Sequence, residues 1–162
     1  AGDKPQFAIC CAGGGGLSAG LGLVFEKHFP RAKLYTSEPV GYDDVKRSLE
    51  SGSIQEADLS KKSVCDAVLT KSPGSLTFEI LKRTYQGGFS VTDDDALRAV
   101  AYAFSELKIT AEPGGAVALA AALAGKLELR NKTAVIYISG GNIDPAVLMR
   151  AQMMISSRIK EL

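Results

Sequence analysis

Residues rich in apolar side chains form three runs of strand length, and a shorter candidate lies between the second and the third. The runs cover residues 7–12, 33–37 and 133–139, and the shorter candidate covers residues 89–91. Apolar runs without regular polar alternation are typical of strands that are buried on both faces. Because such strands occur mainly in parallel sheets, the pattern predicts a sheet that is mostly parallel.

Stretches with helical periodicity alternate with these runs, at residues 17–29, 43–50, 76–85, 93–107, 115–124 and 145–162. Alternating strands and helices predict an α/β fold in which a mostly parallel sheet carries helices on both faces. No repeat and no linker long enough to divide the chain is visible, so we expect one domain over residues 1–162. Sheets of this kind bind ligands at the carboxyl ends of their strands.

Four consecutive glycines follow the first predicted strand, and Leu17 begins the first predicted helix directly after them. Without side chains, glycines let an anion approach the backbone N–H groups closely. The N-terminus of the helix adds free N–H groups and the positive end of the helix dipole. The segment therefore favours a phosphate-binding loop, and a tight turn between strand and helix is the alternative.

Two better-known phosphate loops fit less well. A P-loop needs a lysine and a hydroxyl residue after its glycines, whereas this chain has Leu17 and Ser18. A dinucleotide-binding loop has spaced glycines and an acidic residue about 20 residues later. This chain has spaced glycines and an acidic residue, Glu38, near the required position, so that interpretation stays open. A second glycine loop near the end of the chain would have no role in it.

That second loop, SGGN at residues 139–142, follows the last predicted strand. Together with GGGGLSAG at 13–20, SEP at 37–39, SVCDAV at 63–68 and ITAEPGGAVALAA at 109–121, it resembles the threonine dehydratase and serine racemase family. These are pyridoxal phosphate enzymes of the tryptophan synthase β fold type. The motifs match in order over nearly the whole chain. The resemblance implies a fold type II enzyme, an amino-acid substrate and pyridoxal phosphate as cofactor.

The resemblance assigns a residue to each part of the cofactor. The pyridine nitrogen is assigned to Ser139, whose neutral hydroxyl makes the ring a weaker electron sink than an aspartate would and so favours β-elimination. Glu112 would lie near the ring, Ala67 beside the ring hydroxyl, and Thr70 near the substrate. From the residues alone, each of these two assignments has a structural alternative. Ser139 would then be a hydroxyl residue before a Gly-Gly turn, and Glu112 would be a carboxylate at a helix N-terminus. The phosphate is assigned to Gly13, Gly14, Gly15, Gly16 and the N–H of Leu17.

A cluster of oxygen donors follows the second predicted strand. Carboxylates and backbone carbonyls are hard ligands suited to Mg²⁺ or Ca²⁺. The resemblance to serine racemases implies a divalent ion held by Glu38, the backbone carbonyl of Tyr42 and Asp44. The alternative is that Asp43 or Asp44 caps the helix that ends near Glu50.

In the family, a lysine within a Ser-Phe-Lys type motif upstream of the glycine loop holds the cofactor as a Schiff base. No Phe-Lys pair occurs in this chain, since its six phenylalanines are followed by Ala, Glu, Pro, Glu, Ser and Ser. We therefore expect no catalytic lysine here and a correspondence to the C-terminal half of a family member. Such a fragment is expected to be inactive alone and to associate with itself or with the missing half.

Charge and apolar content exclude several partners. Nineteen basic and eighteen acidic residues leave a formal net charge of +1 without a basic run, so neither nucleic acid nor an anionic membrane is expected. The apolar stretches fall far short of the roughly 20 residues that a membrane span needs. The first residues, AGDKPQF, lack the apolar core of a signal peptide, so the cytoplasm is the expected location.

The three cysteines, Cys10, Cys11 and Cys65, have neither zinc-ligand nor disulfide-framework spacing, which suits a reducing compartment. Because Cys10 and Cys11 lie in a predicted buried strand, we expect small core residues without redox chemistry. Thr92 and Asp95 are expected to form a capping box at a helix start.

The leading hypothesis is a pyridoxal phosphate-dependent dehydratase, an ammonia-lyase that converts threonine or serine to a 2-oxo acid and ammonia. A serine racemase or a 3-hydroxyaspartate dehydratase of the same fold is one alternative. A non-catalytic subunit that binds the cofactor or an ion is the other.

Overall fold

Strands and helices alternate along residues 4–159, which are the residues that the computed structural model describes, with side chains described for residues 4–154. The elements are β1 (Phe7–Cys11), α1 (Gly16–His28), β2 (Lys33–Pro39), α2 (Asp44–Ser51), α3 (Ser75–Thr84), β3 (Tyr85–Val91), α4 (Asp93–Tyr102), α5 (Pro113–Leu123), β4 (Ala134–Ile136) and α6 (Pro145–Ile159). A short 3-10 helix covers Asp66–Val68, and a π-helical turn at Ala103–Leu107 continues α4.

The four strands form one parallel sheet in the order β3-β2-β1-β4. Phe7 in β1 lies opposite Lys33 in β2 and Ala134 in β4. Because β1 and β4 are neighbours, the loops that follow them emerge at the same edge of the sheet. The prediction of an α/β fold with a parallel sheet is confirmed.

Helices cover both faces of this sheet. On one face, Ile9 of β1 packs in an apolar cluster with residues of α4 and α5, including Val100 and Val117. On the other face, Ala8 packs in a second cluster with residues of α1, α2 and α3, including Phe25 and Leu81. Consecutive strand residues point to opposite faces, so the apolar run in β1 supplies both clusters at once.

Small residues let α5 lie in the centre of the molecule. Each residue from Pro113 to Ala121 is buried, and most of them are alanine or glycine. The side chain of Ser37 in β2 donates a hydrogen bond to the backbone carbonyl of Val117 at 2.8 Å, which fixes the helix against the sheet. The N-terminus of α5 therefore lies close to the carboxyl ends of the strands.

The bounds of β3 and β4 differ most from the expectation. The candidate strand at 89–91 is the end of the longer strand β3, which starts directly after α3. Two glycines weaken the strand signal there, but a side chain on Gly88 would collide with the hydroxyl of Thr36 in β2. The predicted strand at 133–139 is shorter, because regular pairing stops at Ile136. Beyond it, the N–H of Tyr137 still donates to the carbonyl of Ile9 at 3.0 Å.

The start of α4 has the predicted capping box. The Thr92 hydroxyl accepts a hydrogen bond from the N–H of Asp95 at 3.1 Å, and the Asp95 carboxylate accepts one from the N–H of Thr92 at 3.1 Å. In the range 4–159, no helix combines the length and the apolar character that crossing a bilayer requires.

Candidate functional site

A pocket of about 330 Å³ lies where the loops after β1 and β4 meet. All eight residues assigned to the cofactor line it, although they come from four separate segments of the chain. Three further residues that the sequence analysis did not assign to the site complete the lining. The eight are Gly13, Gly14, Gly15, Gly16, Leu17, Ala67, Glu112 and Ser139, and the three are Cys11, Ser18 and Val68.

The glycine loop presents backbone donors to this pocket. Gly15 has a φ of 87°, a left-handed conformation that favours glycine, and it is the N-cap of α1. The first intrahelical bond runs from the N–H of Ala19 to the carbonyl of Gly15 at 2.8 Å. The N–H groups of the first three helical residues therefore have no carbonyl acceptor within α1. No acidic side chain stands in the first turn, so the helix dipole favours an anion here.

Space for such an anion is present in front of the loop. A Cβ built on Gly14 or on Gly16 would meet no atom within 4 Å. The opposite holds for Gly13, where a Cβ would lie 3.3 Å from the backbone of Val68. Two glycines thus keep the pocket open, and a third lets the loop pack closely on the 3-10 helix.

Contacts from the start of α3 hold the glycine loop in place. The carbonyl of Gly14 accepts hydrogen bonds from the N–H of Gly74 at 3.1 Å and from the hydroxyl of Thr77 at 2.7 Å. A Cβ on Gly15 would lie 2.9 Å from that same hydroxyl. The loop is therefore fixed by backbone and side-chain contacts that need no ligand.

The loop that carries Ser139 is fixed by the start of α5. The N–H of Ser139 donates to the carbonyl of Gly115 at 3.2 Å, and the N–H of Glu112 donates to the carbonyl of Gly140 at 3.0 Å. The Glu112 side chain occupies the space where Gly140 would carry a Cβ, so a larger residue at 140 would collide with the carboxylate. Glu112 is the N-cap residue of α5, but its side chain makes no capping hydrogen bond.

Ser18 and Cys11 connect the two loops. The fully buried hydroxyl of Ser18 donates to the carbonyl of Cys11 at 2.8 Å. The Cys11 thiol in turn donates to the Ser139 hydroxyl across 2.9 Å. The contact between Cys11 and Ser139 could not be read from local sequence, since the two residues are 128 positions apart. For Ser18, the available signal was a serine two positions after the last glycine of the loop.

The three cysteines differ in their chemistry. Burial raises the pKa of the Cys65 thiol to about 12, and the hydrogen bond with Cys11 together with burial raises the pKa of Cys10. For Cys11, hydrogen bonding with Cys10 and with Ser139 lowers the pKa to about 7, against the effect of burial. All three are free and buried. Cys10 and Cys11 are core residues, as expected, and Cys11 also lines the pocket.

Thr70, which the resemblance places near the substrate, lies beside the pocket and is not among the residues that line it. Its methyl group is 3.4 Å from the position that a Cβ on Gly13 would occupy. Its hydroxyl is buried and has no hydrogen-bond partner among the described residues.

The predicted ion cluster lies at the start of α2. Glu38 is fully buried, and its two carboxylate oxygens accept hydrogen bonds from the N–H groups of Val45 and Lys46, each at 2.8 Å. The cap of α2 therefore comes from the preceding strand. The alternative that Asp43 or Asp44 caps this helix was wrong, since neither side chain makes a capping bond. The Asp43 carboxylate instead accepts from the hydroxyl of Ser90 at 2.7 Å.

Asp44 is the unusual member of the cluster. It is buried, and neither carboxylate oxygen has a hydrogen-bond partner within residues 4–154. Burial raises the pKa of Asp44 to about 6 and also raises the pKa of Glu38 well above its usual range. The Tyr42 hydroxyl donates to the carbonyl of Lys61 at 3.2 Å. In the described part of the chain, no three His, Cys, Asp or Glu side chains are grouped to hold a metal.

A larger pocket of about 770 Å³ lies at the opposite edge of the sheet, near the first residues of β1 and β2. Phe7, Phe29, Lys33 and Lys132 are among the residues that line it. None of the predicted site residues contributes to it.

The chain resembles known enzymes in both sequence and structure. The family model described as "Pyridoxal-phosphate dependent enzyme" matches residues 1–140. The chain belongs to this family. It is 40% identical to the serine racemase of Dictyostelium discoideum over 141 residues, which are 84% of this chain and 43% of that protein. It is 32% identical to the L-threonine ammonia-lyase of Thermotoga maritima over 145 residues, which are 90% of this chain and 36% of that protein.

The structural comparison agrees with the sequence comparison. The crystal structure of the T.th. threonine deaminase superposes with a TM-score of 0.81 at 36% identity, over 86% of this chain and 51% of that one. The fold is that of the fold type II pyridoxal phosphate enzymes, as the resemblance predicted. The chain spans about half of that structure and less than half of the two relatives.

Cys11 is expected to be the cysteine that alkylating agents modify first. Its thiolate forms near pH 7, whereas the raised pKa values of Cys10 and Cys65 keep those thiols neutral. Iodoacetamide should label Cys11 in the native protein, and the rate should fall roughly tenfold for each pH unit below the pKa. Fragment-ion mass spectrometry locates the label. Native protein labelled equally at all three cysteines would contradict the assignment.

Proposed function

We propose that this chain forms the cofactor-binding part of a pyridoxal phosphate-dependent ammonia-lyase. The proposed reaction converts threonine or serine to a 2-oxo acid and ammonia by loss of the β-hydroxyl. The convergence of four separate segments on one pocket carries the proposal, because each segment supplies a residue suited to a different part of the cofactor. When bound, pyridoxal phosphate supplies an electron sink that stabilises negative charge at the substrate α-carbon.

The glycine loop is the proposed phosphate site. The N–H groups at the start of α1 point an uncompensated positive dipole end at an open space, and glycines at 14 and 16 keep that space free of side chains. Hydrogen bonds from residues at the start of α3 hold the glycine loop in place without a ligand. The loop therefore loses little conformational freedom when a ligand binds.

Ser139 is the proposed partner of the pyridine nitrogen, and Glu112 the proposed neighbour of the ring. A neutral hydroxyl makes one hydrogen bond to the ring without forcing it to carry a proton, which an aspartate would do. A weaker electron sink favours prompt loss of a β-hydroxyl over a long-lived carbanion. This chemistry is the reason to prefer a lyase, and the threonine deaminase with 36% identity supports the preference.

Racemisation of serine is the second candidate, and the serine racemase with 40% identity favours it. The products separate the two candidates, because a lyase releases a 2-oxo acid and a racemase releases the other enantiomer. A 3-hydroxyaspartate dehydratase would remove the β-hydroxyl of a substrate that carries a second carboxylate, and a non-catalytic subunit would bind the cofactor without turnover.

The reaction needs a lysine that this chain does not offer in the family's Phe-Lys motif. We infer that a segment outside these 162 residues supplies that lysine. Apolar residues of β4 and the loop after it, Val135, Ile136 and Ile138, are only partly buried. In the described sheet β4 is an edge strand, so further chain or a second copy has backbone and apolar surface to pack against. Three free thiols support a reducing compartment such as the cytoplasm.

We also propose that a divalent ion such as Mg²⁺ binds between Asp44, Glu38 and the backbone carbonyl of Tyr42. The two buried oxygens of Asp44 without a partner support it, since an unpaired buried carboxylate is costly. Glu38 already accepts two N–H groups, but each carboxylate oxygen can accept a second contact.

The first prediction from the proposed function concerns the phosphate site. Gly14→Val should weaken binding of inorganic phosphate and of 4′-deoxypyridoxine 5′-phosphate by roughly tenfold or more, because the new side chain enters the open space of the loop. This analogue has no aldehyde and so cannot react with surface lysines. Chemical shifts in a nitrogen-proton NMR titration measure both affinities.

Gly20→Ala is the matched control for that variant. Gly20 lies in α1, a Cβ there would also meet nothing within 4 Å, and it does not line the pocket. The control should bind both probes as the wild type does. Wild-type affinity in Gly14→Val would remove the glycine loop from the proposed site.

The second prediction concerns the lysine. The 162-residue chain should be inactive toward threonine and serine, and addition of the lysine-bearing segment of the natural protein should produce 2-oxo acid. The same segment with its lysine changed to alanine should not. A coupled assay for 2-oxo acid with chiral chromatography of serine distinguishes lyase from racemase. Turnover by the chain alone, with borohydride attaching the cofactor to one of its own lysines, would refute the proposal.

The third prediction concerns the ion. Millimolar MgCl₂ should raise the melting temperature relative to EDTA, by roughly 2–4 °C for each kcal/mol of stabilisation, since an ion bound only by the folded state stabilises it by mass action. Asp44→Asn should abolish the shift. Asp43→Asn is the control that should keep it, because the Asp43 carboxylate already binds Ser90. A wild-type melting curve that ignores MgCl₂ would leave helix capping as the role of Glu38.

A further inference from the structure

Cys11 makes a contact that neither the family motifs nor the phosphate loop accounts for. Its thiol lies 2.9 Å from the hydroxyl oxygen of Ser139, and both groups line the same pocket. The thiol is the donor in this contact and the hydroxyl is the acceptor. A side chain at the end of β1 thus acts on the proposed ring-binding residue in the loop after β4.

The direction of this hydrogen bond determines what Ser139 offers to a ligand. A serine hydroxyl has one proton to donate and two lone pairs that accept. Below the Cys11 pKa of about 7, the thiol keeps its proton and donates to the oxygen, so the hydroxyl proton of Ser139 stays available for an acceptor in the pocket, whereas a thiolate would accept that proton itself. An unprotonated pyridine nitrogen is such an acceptor, and a protonated one is not.

We propose that Cys11 is a positioning residue, whose thiol turns the Ser139 hydroxyl so that it donates its proton to the ring nitrogen of the cofactor. The inference rests on the proposed function, because it concerns the residue assigned to that nitrogen. Cys11 does not touch the reacting atoms in this scheme. It acts through Ser139, because a hydroxyl that donates its proton favours the cofactor whose ring nitrogen is unprotonated.

The surroundings hold both partners rigidly enough for this role. The Ser18 hydroxyl donates to the carbonyl of Cys11 at 2.8 Å, which fixes the backbone that carries the thiol. The N–H of Ser139 donates to the carbonyl of Gly115 at 3.2 Å, which fixes the backbone that carries the hydroxyl. With both backbones held, the remaining freedom of Ser139 is rotation of its side chain and its proton, and the thiol restricts that rotation.

The test uses the 162-residue chain with ring-¹⁵N-labelled 4′-deoxypyridoxine 5′-phosphate, at about pH 6, where the Cys11 thiol with its pKa of about 7 carries its proton. In the wild type, the ¹⁵N chemical shift should report a neutral nitrogen that accepts a hydrogen bond. In Cys11→Ala, the signal should move toward the protonated ring. Affinity for the analogue should fall roughly twofold to tenfold, as expected for one hydrogen bond, while affinity for inorganic phosphate stays unchanged.

Four further variants separate positioning from general damage. Cys11→Ser should restore the wild-type signal, because a hydroxyl at this position donates in the same way. Cys10→Ala should leave the signal unchanged, because that thiol donates to the carbonyl of Cys11 and does not contact Ser139. Adding Cys11→Ala to Ser139→Ala should change the signal no further than Ser139→Ala alone.

The outcomes distinguish this inference from the proposed function. If Ser139→Ala shifts the nitrogen signal and Cys11→Ala does not, the positioning role is refuted while the cofactor site stands. If the wild type does not bind the analogue, or if Ser139→Ala leaves the signal of the bound analogue unchanged, the site assignment and the inference both fail.

Discussion

The close approach of α5 to the loop after β4 determines the shape of the pocket. A Cβ on Gly115 would lie 2.6 Å from the backbone nitrogen and oxygen of Gly140, so only a glycine lets the first turn of the helix lie this close to the loop. The same approach allows the hydrogen bonds that hold Ser139 and Glu112. Because α5 also packs on β1 and β2, one helix aligns the Ser139 loop with the strand that leads into the glycine loop. The small residues along α5 are therefore a structural requirement of the site.

The N-termini of α1 and α2 differ in the charge that lies in front of them. At α1, no carboxylate stands in the first turn, and the space in front of it is open. At α2, a buried carboxylate from β2 already occupies that position and binds two N–H groups. A helix whose N-terminus is left without an internal anion is the one suited to take an external anion. The contrast with α2, together with the open space in front of α1, supports α1 as the proposed ligand site.

The backbone of the site could be predicted from the sequence, and its side-chain contacts could not. The motifs GGGG and SGGN are local signals that can be read directly from the sequence, and the structure requires glycine at Gly15 for a left-handed conformation and at Gly140 for space. The link between Cys11 and Ser139 depends on the face of β1 to which the Cys11 side chain points and on a partner 128 positions away. Glu38 was expected as an ion ligand, but its cap on α2 crosses from one element to the next and matches no local capping pattern. The start of β3 was missed because two glycines obscure its strand signal.

The direct junction between α3 and β3 affects the distant pocket, because an insertion there would displace a residue that holds the pocket in place. Thr84 ends the helix and Tyr85 begins the strand, with no residue between them. The Tyr85 hydroxyl donates to the carbonyl of Ser18 at 2.8 Å, and Ser18 in turn holds Cys11. One inserted residue would turn the Tyr85 ring to the opposite face of the sheet. Homologous proteins are therefore expected to vary in length in the exposed segment at residues 124–132, and to keep the junction at 84–85 free of insertions.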